Sequence, residues 1–213
     1  MRKQVISLIG LALLTLLIGT GTRAIELGVG ASFNTVAMEH MNELIDTYNA
    51  RMGMNMPSLR SGLGLFANLM IGLPVFDLGL GVEHLSASAS AIDPHGRLER
   101  IDASALGFLG MGSWTILGRG LQLRARAALG WYSADYSNEL EAITAQGSAI
   151  GYKVGLSLDL GLTRNLSLQG IFSFRGLAFK ELIDQRGNPL SVRGRPYLDF
   201  SGFELGLGGG FYF

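Results

Sequence analysis

The sequence predicts an all-β fold: an eight-stranded antiparallel up-and-down transmembrane β-barrel with a short amphipathic helix in its first external loop. Three observations carry this expectation. The chain opens on a basic and then apolar leader. Beyond it, eight stretches place apolar residues at every second position, and the connections between those stretches are alternately short and long. A period of two marks a strand whose two faces meet different surroundings. An even strand number with alternating loop lengths is the pattern of outer-membrane barrels.

The leader runs from Met1-Arg2-Lys3 through an apolar stretch at 5–19 rich in Leu and Ile to Thr22-Arg23-Ala24, with small residues at the two positions a signal peptidase reads. The apolar stretch is short of the roughly 20 residues a spanning helix needs. We therefore expect residues 1–24 to be a cleaved signal peptide and 25–213 to form one transmembrane β-barrel. The absence of cysteine excludes both disulfides and a lipid anchor on an N-terminal Cys. The leader holds three of the 17 basic residues and none of the 17 acidic ones, so 14 bases face 17 acids in the remainder, a net charge of −3. Without a basic stripe, that balance gives no support to a nucleic-acid partner.

The first alternating segment sets Ile25, Leu27, Val29, Ala31 and Phe33 against Glu26, Gly28, Gly30 and Ser32. Comparable segments lie at 63–73, 76–83, 105–114, 121–132, 150–160, 166–175 and 202–213, each close to the roughly 9–11 residues of a tilted spanning strand. One face of each is Leu, Val, Ile and Phe; the other is mostly Gly, Ala and Ser with scattered charges. A soluble barrel would turn its apolar face inward and charge its outside. Here the face with little bulk suits a narrow lumen, and the apolar face would be an aggregating patch in water but suits lipid. The short connections are 73–75, 115–120 and 161–165, expected on the periplasmic side. The long ones, at 34–60, 86–101, 133–149 and 176–199, are expected outside. Gly at 31 residues with Pro at only 5 fits strands crowded on the inner face rather than a linker.

Residues 34–53 break the alternation. Met38, Met41, Leu44, Ile45, Tyr48 and Met52 recur at three and four, which predicts a helix with Asn34 or Thr35 as its N-cap and Gly53 as its stop. Its apolar stripe has two possible partners: the barrel mouth with the neighbouring loops, or the membrane surface.

The inward parity carries Glu26, Glu83, Arg124, Arg126, Lys153, Asp159, Arg175 and Glu204. An eight-stranded barrel is only wide enough to be filled by side chains, so these four acids and four bases must pair. Counting from the strand ends puts Glu204, Arg175 and Lys153 at one height and Arg124 with Asp159 at a lower one. Trp114 and Trp131 fall at opposite ends of lipid-facing strands and, with Phe76, Tyr136 and Phe213, suggest interfacial girdles.

Taken together, the leader, the eight segments, the loop alternation and the closing Gly-Gly-Gly-Phe-Tyr-Phe213 resemble the small eight-stranded outer-membrane β-barrel superfamily, of the OmpA transmembrane domain, OmpX and OmpW type. The resemblance implies location in the outer membrane of a Gram-negative-type bacterium with both termini periplasmic, and outer-membrane lipid as surroundings. It further implies that Leu207, Phe211 and Phe213 form a terminal signal read by the outer-membrane assembly machinery.

No metal set, phosphate-binding loop or nucleophile-elbow motif occurs, and no cofactor is implied. His84 with Ser86 and Ser88 is the nearest approach to a hydrolytic set, matches no motif, and the reading is non-enzymatic. The expected role is structural or surface-interacting, with a closed charged lumen and an unidentified external ligand or surface partner. The alternative is a small channel for apolar or small polar solutes, motivated by Phe66, Met70, Leu109 and Met111 on the inner face. N-terminal sequencing of protein extracted from membranes should begin at Ile25; a start at Met1 would remove the export argument.

Overall fold

The computed structural model describes residues 23–73, 75–119 and 121–213. The leader expected over 1–24 therefore lies outside the described residues except for its last two, which already belong to the first strand.

Eight strands close the barrel: β1 (Arg23–Thr35), β2 (Ser61–Gly72), β3 (Asp77–Ile92), β4 (Leu98–Arg119), β5 (Leu121–Asn138), β6 (Ile143–Gly161), β7 (Leu166–Gly176) and β12 (Gly202–Tyr212). Each pairs antiparallel with its neighbour along the chain, β7 pairs with β12, and β12 returns to β1 with Glu26 opposite Tyr212 and Asn34 opposite Glu204. The terminal carboxyl-side residue is tied in as well, Phe213 N–H donating to Ile25 O at 3.0 Å. Closure leaves no strand edge in the spanning region, which is what hydrocarbon requires of a sheet.

Burial follows the alternation in every barrel strand. Leu80 is 71 % exposed and Ile150 74 %, whereas Glu26, Glu83 and Glu204 are each at most 3 % exposed. In water each fully exposed Leu or Phe would forgo about 1.5–3 kcal/mol of burial. Dozens of such side chains girdle this barrel, so its stable surroundings are lipid. Aromatic rings stack along one sector of the belt, Phe172 on Phe203 at 5.8 Å and Phe174 edge-on to Phe203 at 5.5 Å.

Where the sequence suggested long loops, the sheet continues. β3 and β4 run on to a turn at 93–97, and β5 and β6 to one at 139–142. The period stays at two while the polarity of the faces inverts. On β3 the outer face changes from Leu78, Leu80 and Val82 to His84, Ser86, Ser88 and Ser90, and the inner face from Gly79, Gly81 and Glu83 to Leu85, Ala87 and Ala89. β4, β5 and β6 invert at paired positions, Leu106 opposite Ser133 and Trp131 opposite Ile150. A search for apolar-outside alternation stops at that line, which is why these extensions read as loops. Tyr136 belongs to this upper inner face; it is 3 % exposed and so does not join the lipid-facing girdle.

The extensions enclose a second, apolar core. Helix α1 (Glu39–Met52) seats Met41, Ile45 and Tyr48 in it, with Met38 at the N-cap. Around them lie Ala87 and Ala89 of β3, Ile101, Ala103 and Ala105 of β4, and Tyr132 and Ala134 of β5. Leu177, Phe179, Leu182, Leu198 and Phe200 join the same core, in or next to the short strands β8 (Ala178–Phe179), β9 (Glu181–Asp184) and β11 (Leu198–Asp199), with β10 (Pro189–Ser191) paired to β9. The stripe thus packs over the mouth and not on the membrane surface. Leu44 is only partly buried, and Met52 is 45 % exposed because it sits in the last turn, past the edge of the core. The expected N-cap is also displaced. Asn34 and Thr35 stay in β1, and the helix starts at Glu39 without a side-chain cap, while Gly53 ends it at φ 67° as anticipated.

Candidate functional site: the charged lumen and its cap

Two layers of ion pairs cross the lumen. In the layer nearer the cap, Lys153 Nζ lies 2.7 Å from both Glu83 and Glu204, and Arg175 lies 3.1 Å from Glu83 and 3.2 Å from Glu204. Each base thus touches both acids, and Arg175, 1 % exposed, also donates to Asn34 Oδ1 at 3.1 Å. Ser173 donates to Glu204 at 2.8 Å and Tyr132 to Glu83 at 2.5 Å. The tyrosine can lie there because its ring covers Gly107, where any Cβ would collide with it.

The layer nearer the chain ends is built on Arg124. Its guanidinium lies 2.7 Å from Glu26, 3.0 Å from Asp159 and 3.8 Å from Asp77, and it also donates to Gln122. Gln169 donates to Glu26 from the opposite side. Arg126 stands one inward position farther along β5, with Glu26 its nearest acid at 3.9 Å. Between the layers the inner wall is mainly apolar, with Phe66, Leu109, Met111 and Ile171, of which Leu109 and Ile171 are buried.

All eight inward charges singled out in the sequence fall in one layer or the other. Strand-end counting grouped Glu204, Arg175 and Lys153, and separately Arg124 and Asp159; it left Glu83, Glu26 and Arg126 unassigned and passed over Asp77, Tyr132 and Asn34. Glu83 on β3 meets Lys153 on β6 and Arg175 on β7 across the lumen. Such a contact depends on strand tilt and shear, and those only closure fixes.

The cap is fastened by polar side chains around its apolar core. Asn42 bonds both the N–H and the C=O of Leu59, at 2.6 and 3.1 Å, and Asn49 does the same for Met56, at 2.8 and 3.0 Å. Tyr48 donates to Glu141 at 2.6 Å and accepts from Asn138 at 3.0 Å. Glu43 on α1 pairs with Arg195 in the last long connection, and this hydrogen-bonded guanidinium holds its carboxyl below the usual glutamate range. His40, with its ring 4.9 Å from that of Tyr197, is lowered in pKa by burial and then by the charge of Arg195.

His84 is exposed on the outer face at the line of inversion, between Leu65 and Leu106 on the flanking strands. Among the described residues no three His, Cys, Asp or Glu side chains are placed to hold a metal ion. Leu207, Phe211 and Phe213 are all exposed on the lipid face of the last strand or just beyond it.

No family model matches this chain, and no curated protein matches it. Among solved structures it is similar to Ail, the attachment invasion locus protein of Yersinia pestis in complex with the heparin analogue sucrose octasulfate, at 11 % identity over 90 % of this chain and 99 % of that one, TM-score 0.48. It is also similar to Neisserial surface protein A, at 10 % identity over 91 % and 98 %, TM-score 0.47. A major outer membrane protein from Thermus thermophilus matches at 15 % identity over 89 % and 100 %, TM-score 0.49. The reading of this chain rests on its own geometry.

Arg175→Ala should leave Glu83 and Glu204 sharing Lys153 alone in a buried site and destabilise the barrel by about 3–5 kcal/mol. Glu204→Ala should recover part of that loss in the double variant. Denaturant unfolding of the four proteins in detergent decides this, and strictly additive losses would show that the two residues do not act as partners.

Proposed function

We propose that this protein is an outer-membrane barrel with a surface-interaction role: a closed body that anchors the cap in the membrane and presents it outside the cell. The observation that carries this reading is the double obstruction of the axis. Two ion-pair layers cross the lumen, and the apolar core around Met41, Ile45 and Tyr48 lies over its mouth. Eight strands enclose little more than their own side chains, and these side chains are bonded to one another.

In this reading the leader is removed after Ala24, both chain ends face the periplasm, and the cap meets an external ligand or surface partner. Outer-membrane lipid surrounds the belt, and Leu207, Phe211 and Phe213 serve as the signal for the assembly machinery. Removing Phe213 should then lower the outer-membrane yield at unchanged synthesis, and equal yield under low expression would refute that role.

The channel alternative draws on the apolar wall of Phe66, Leu109 and Met111. Purified protein in planar bilayers separates the two readings. We expect no steady conductance from the intact barrel, and reproducible single-channel steps lost on unfolding would establish the channel instead.

A further inference from the structure

The last long connection crosses the cap beside the start of α1. Between β10 and β11 its turn at 192–196 is closed on itself by a bridge between Val192 and Arg195, with Gly194 at φ 82°. Among the described residues one hydrogen-bonded interaction ties this turn to another element. Both terminal nitrogens of Arg195 donate to the two carboxylate oxygens of Glu43 on α1. The pair lies near the surface, with the Glu43 side chain 60 % exposed and that of Arg195 32 %. An exposed pair of this kind holds weakly, so one added charge beside it is enough to tip it.

The group that can add that charge is His40. It precedes Glu43 by one helical turn on the same face of α1, and its ring lies 4.9 Å from that of Tyr197. Glu39, His40, Arg195, Tyr197 and Asp199 line one cavity of about 90 Å³. His40 Nδ1 is buried without a hydrogen-bond partner. A charged imidazole carries a proton on both ring nitrogens, so the imidazolium would hold an N–H there with nothing to accept it. The surroundings add to this. The ring is half-buried, the Arg195 guanidinium lies beside it, and it sits in the first turn of a helix whose N-terminus has no side-chain cap. The free N–H groups of such a turn present partial positive charge. The carboxylates of Glu39, Glu43 and Asp199 act the other way, while Tyr197 and, behind it, Tyr136 stay uncharged because burial raises both. Burial first and Arg195 second outweigh Glu43 and hold the His40 pKa below its ordinary value.

We infer that His40 is an acid-sensitive release for the Glu43–Arg195 fastening of the cap. With the ring neutral, the pair is closed. With the ring charged, Glu43 faces two cations in place of one, each repelling the other, and the turn at 192–196 loses its tie to α1. Tyr197, partly buried against the cap core, is the side chain this uncovers. The neutral ring stabilises the closed turn fully above pH about 6.5. That contribution is lost as the pH falls below this value and through the lower pKa of the folded protein.

The release concerns how the cap is held and is independent of whether the cap meets a partner. Amide exchange of the full chain in detergent, corrected for the intrinsic pH dependence of exchange, reads it directly. The Tyr197 amide donates to Phe179 O at 2.8 Å. Between pH about 7.5 and about 5 its protection should fall about fivefold or more, while the barrel strands stay protected. The midpoint should coincide with the titration of His40 followed by its ring NMR signals, below pH about 6.5. His40→Gln should abolish the pH dependence, and His84→Gln and His95→Gln should keep it. Unchanged protection over this range, loosening that survives His40→Gln, or a His40 midpoint above its ordinary value would overturn the inference. Should His40→Gln fail to fold, the coincidence of the two midpoints in the unaltered chain decides. Glu43→Gln should leave the turn loose at both pH values, and a turn still protected at both would show that the pair is not its fastening.

Discussion

Everything in this molecule depends on closing eight strands into a tube inside lipid. Closure pairs every backbone group of the spanning region without help from water, and in doing so creates a lumen too narrow to stay empty. What fills it must pack, and what is charged must be paired. The upper layer meets both conditions by placing Lys153 and Arg175 each between Glu83 and Glu204. A buried charge removed from such a set leaves its partners uncompensated. The layers therefore hold the barrel to one register more than they add to its stability, since shifting one strand by a single residue would turn its charges into lipid.

The inversion of polarity along β3 to β6 serves the same constraint at a different height. Inside the membrane the outer face must be apolar and the inner face may be polar; beyond it the outer face meets water, and the inner face is free to build an ordinary core. His84, Ser133 and Ser148 mark the line on β3, β5 and β6. Above it α1 shares one buried core with the alanines of β3 to β6, to which Met38, Met41, Met54 and Met56 add adaptable bulk. The cap is consequently a small soluble-type core grown directly on a membrane barrel. Its polar fasteners at Asn42, Asn49 and Tyr48 tie the connections down, and this turns a set of loops into a defined surface.

That division of labour suits an interaction protein. In the proposed role the belt deals with lipid, the ion-pair layers block the axis, and the cap is the part that would meet the outside. Sequence variation in the cap would alter the presented surface without disturbing the barrel register, because the two cores are separated by the upper charge layer.

The sequence by itself determined the number of spanning strands, the face each turns to lipid, the identity of eight of the inward charges and the existence of a helix ending at Gly53. These are local properties, set by a period of two or of 3.6 and by the chemistry of single residues, and they survive in one dimension. Only the tertiary structure decided which charges meet, that the expected loops at 86–101 and 133–149 are mostly strand, and that the stripe of α1 covers the mouth. Strand tilt and shear place Glu83 beside Arg175 across the lumen, although nothing in their sequence spacing of 92 residues relates them. The extensions were hidden because alternation was read with one polarity, whereas the surroundings change from lipid to water partway along the same strand. Met41 and Ile45 could be recognised as apolar from sequence. What they cover depended on how far the sheet extends beyond the membrane, and that is a property of the closed barrel.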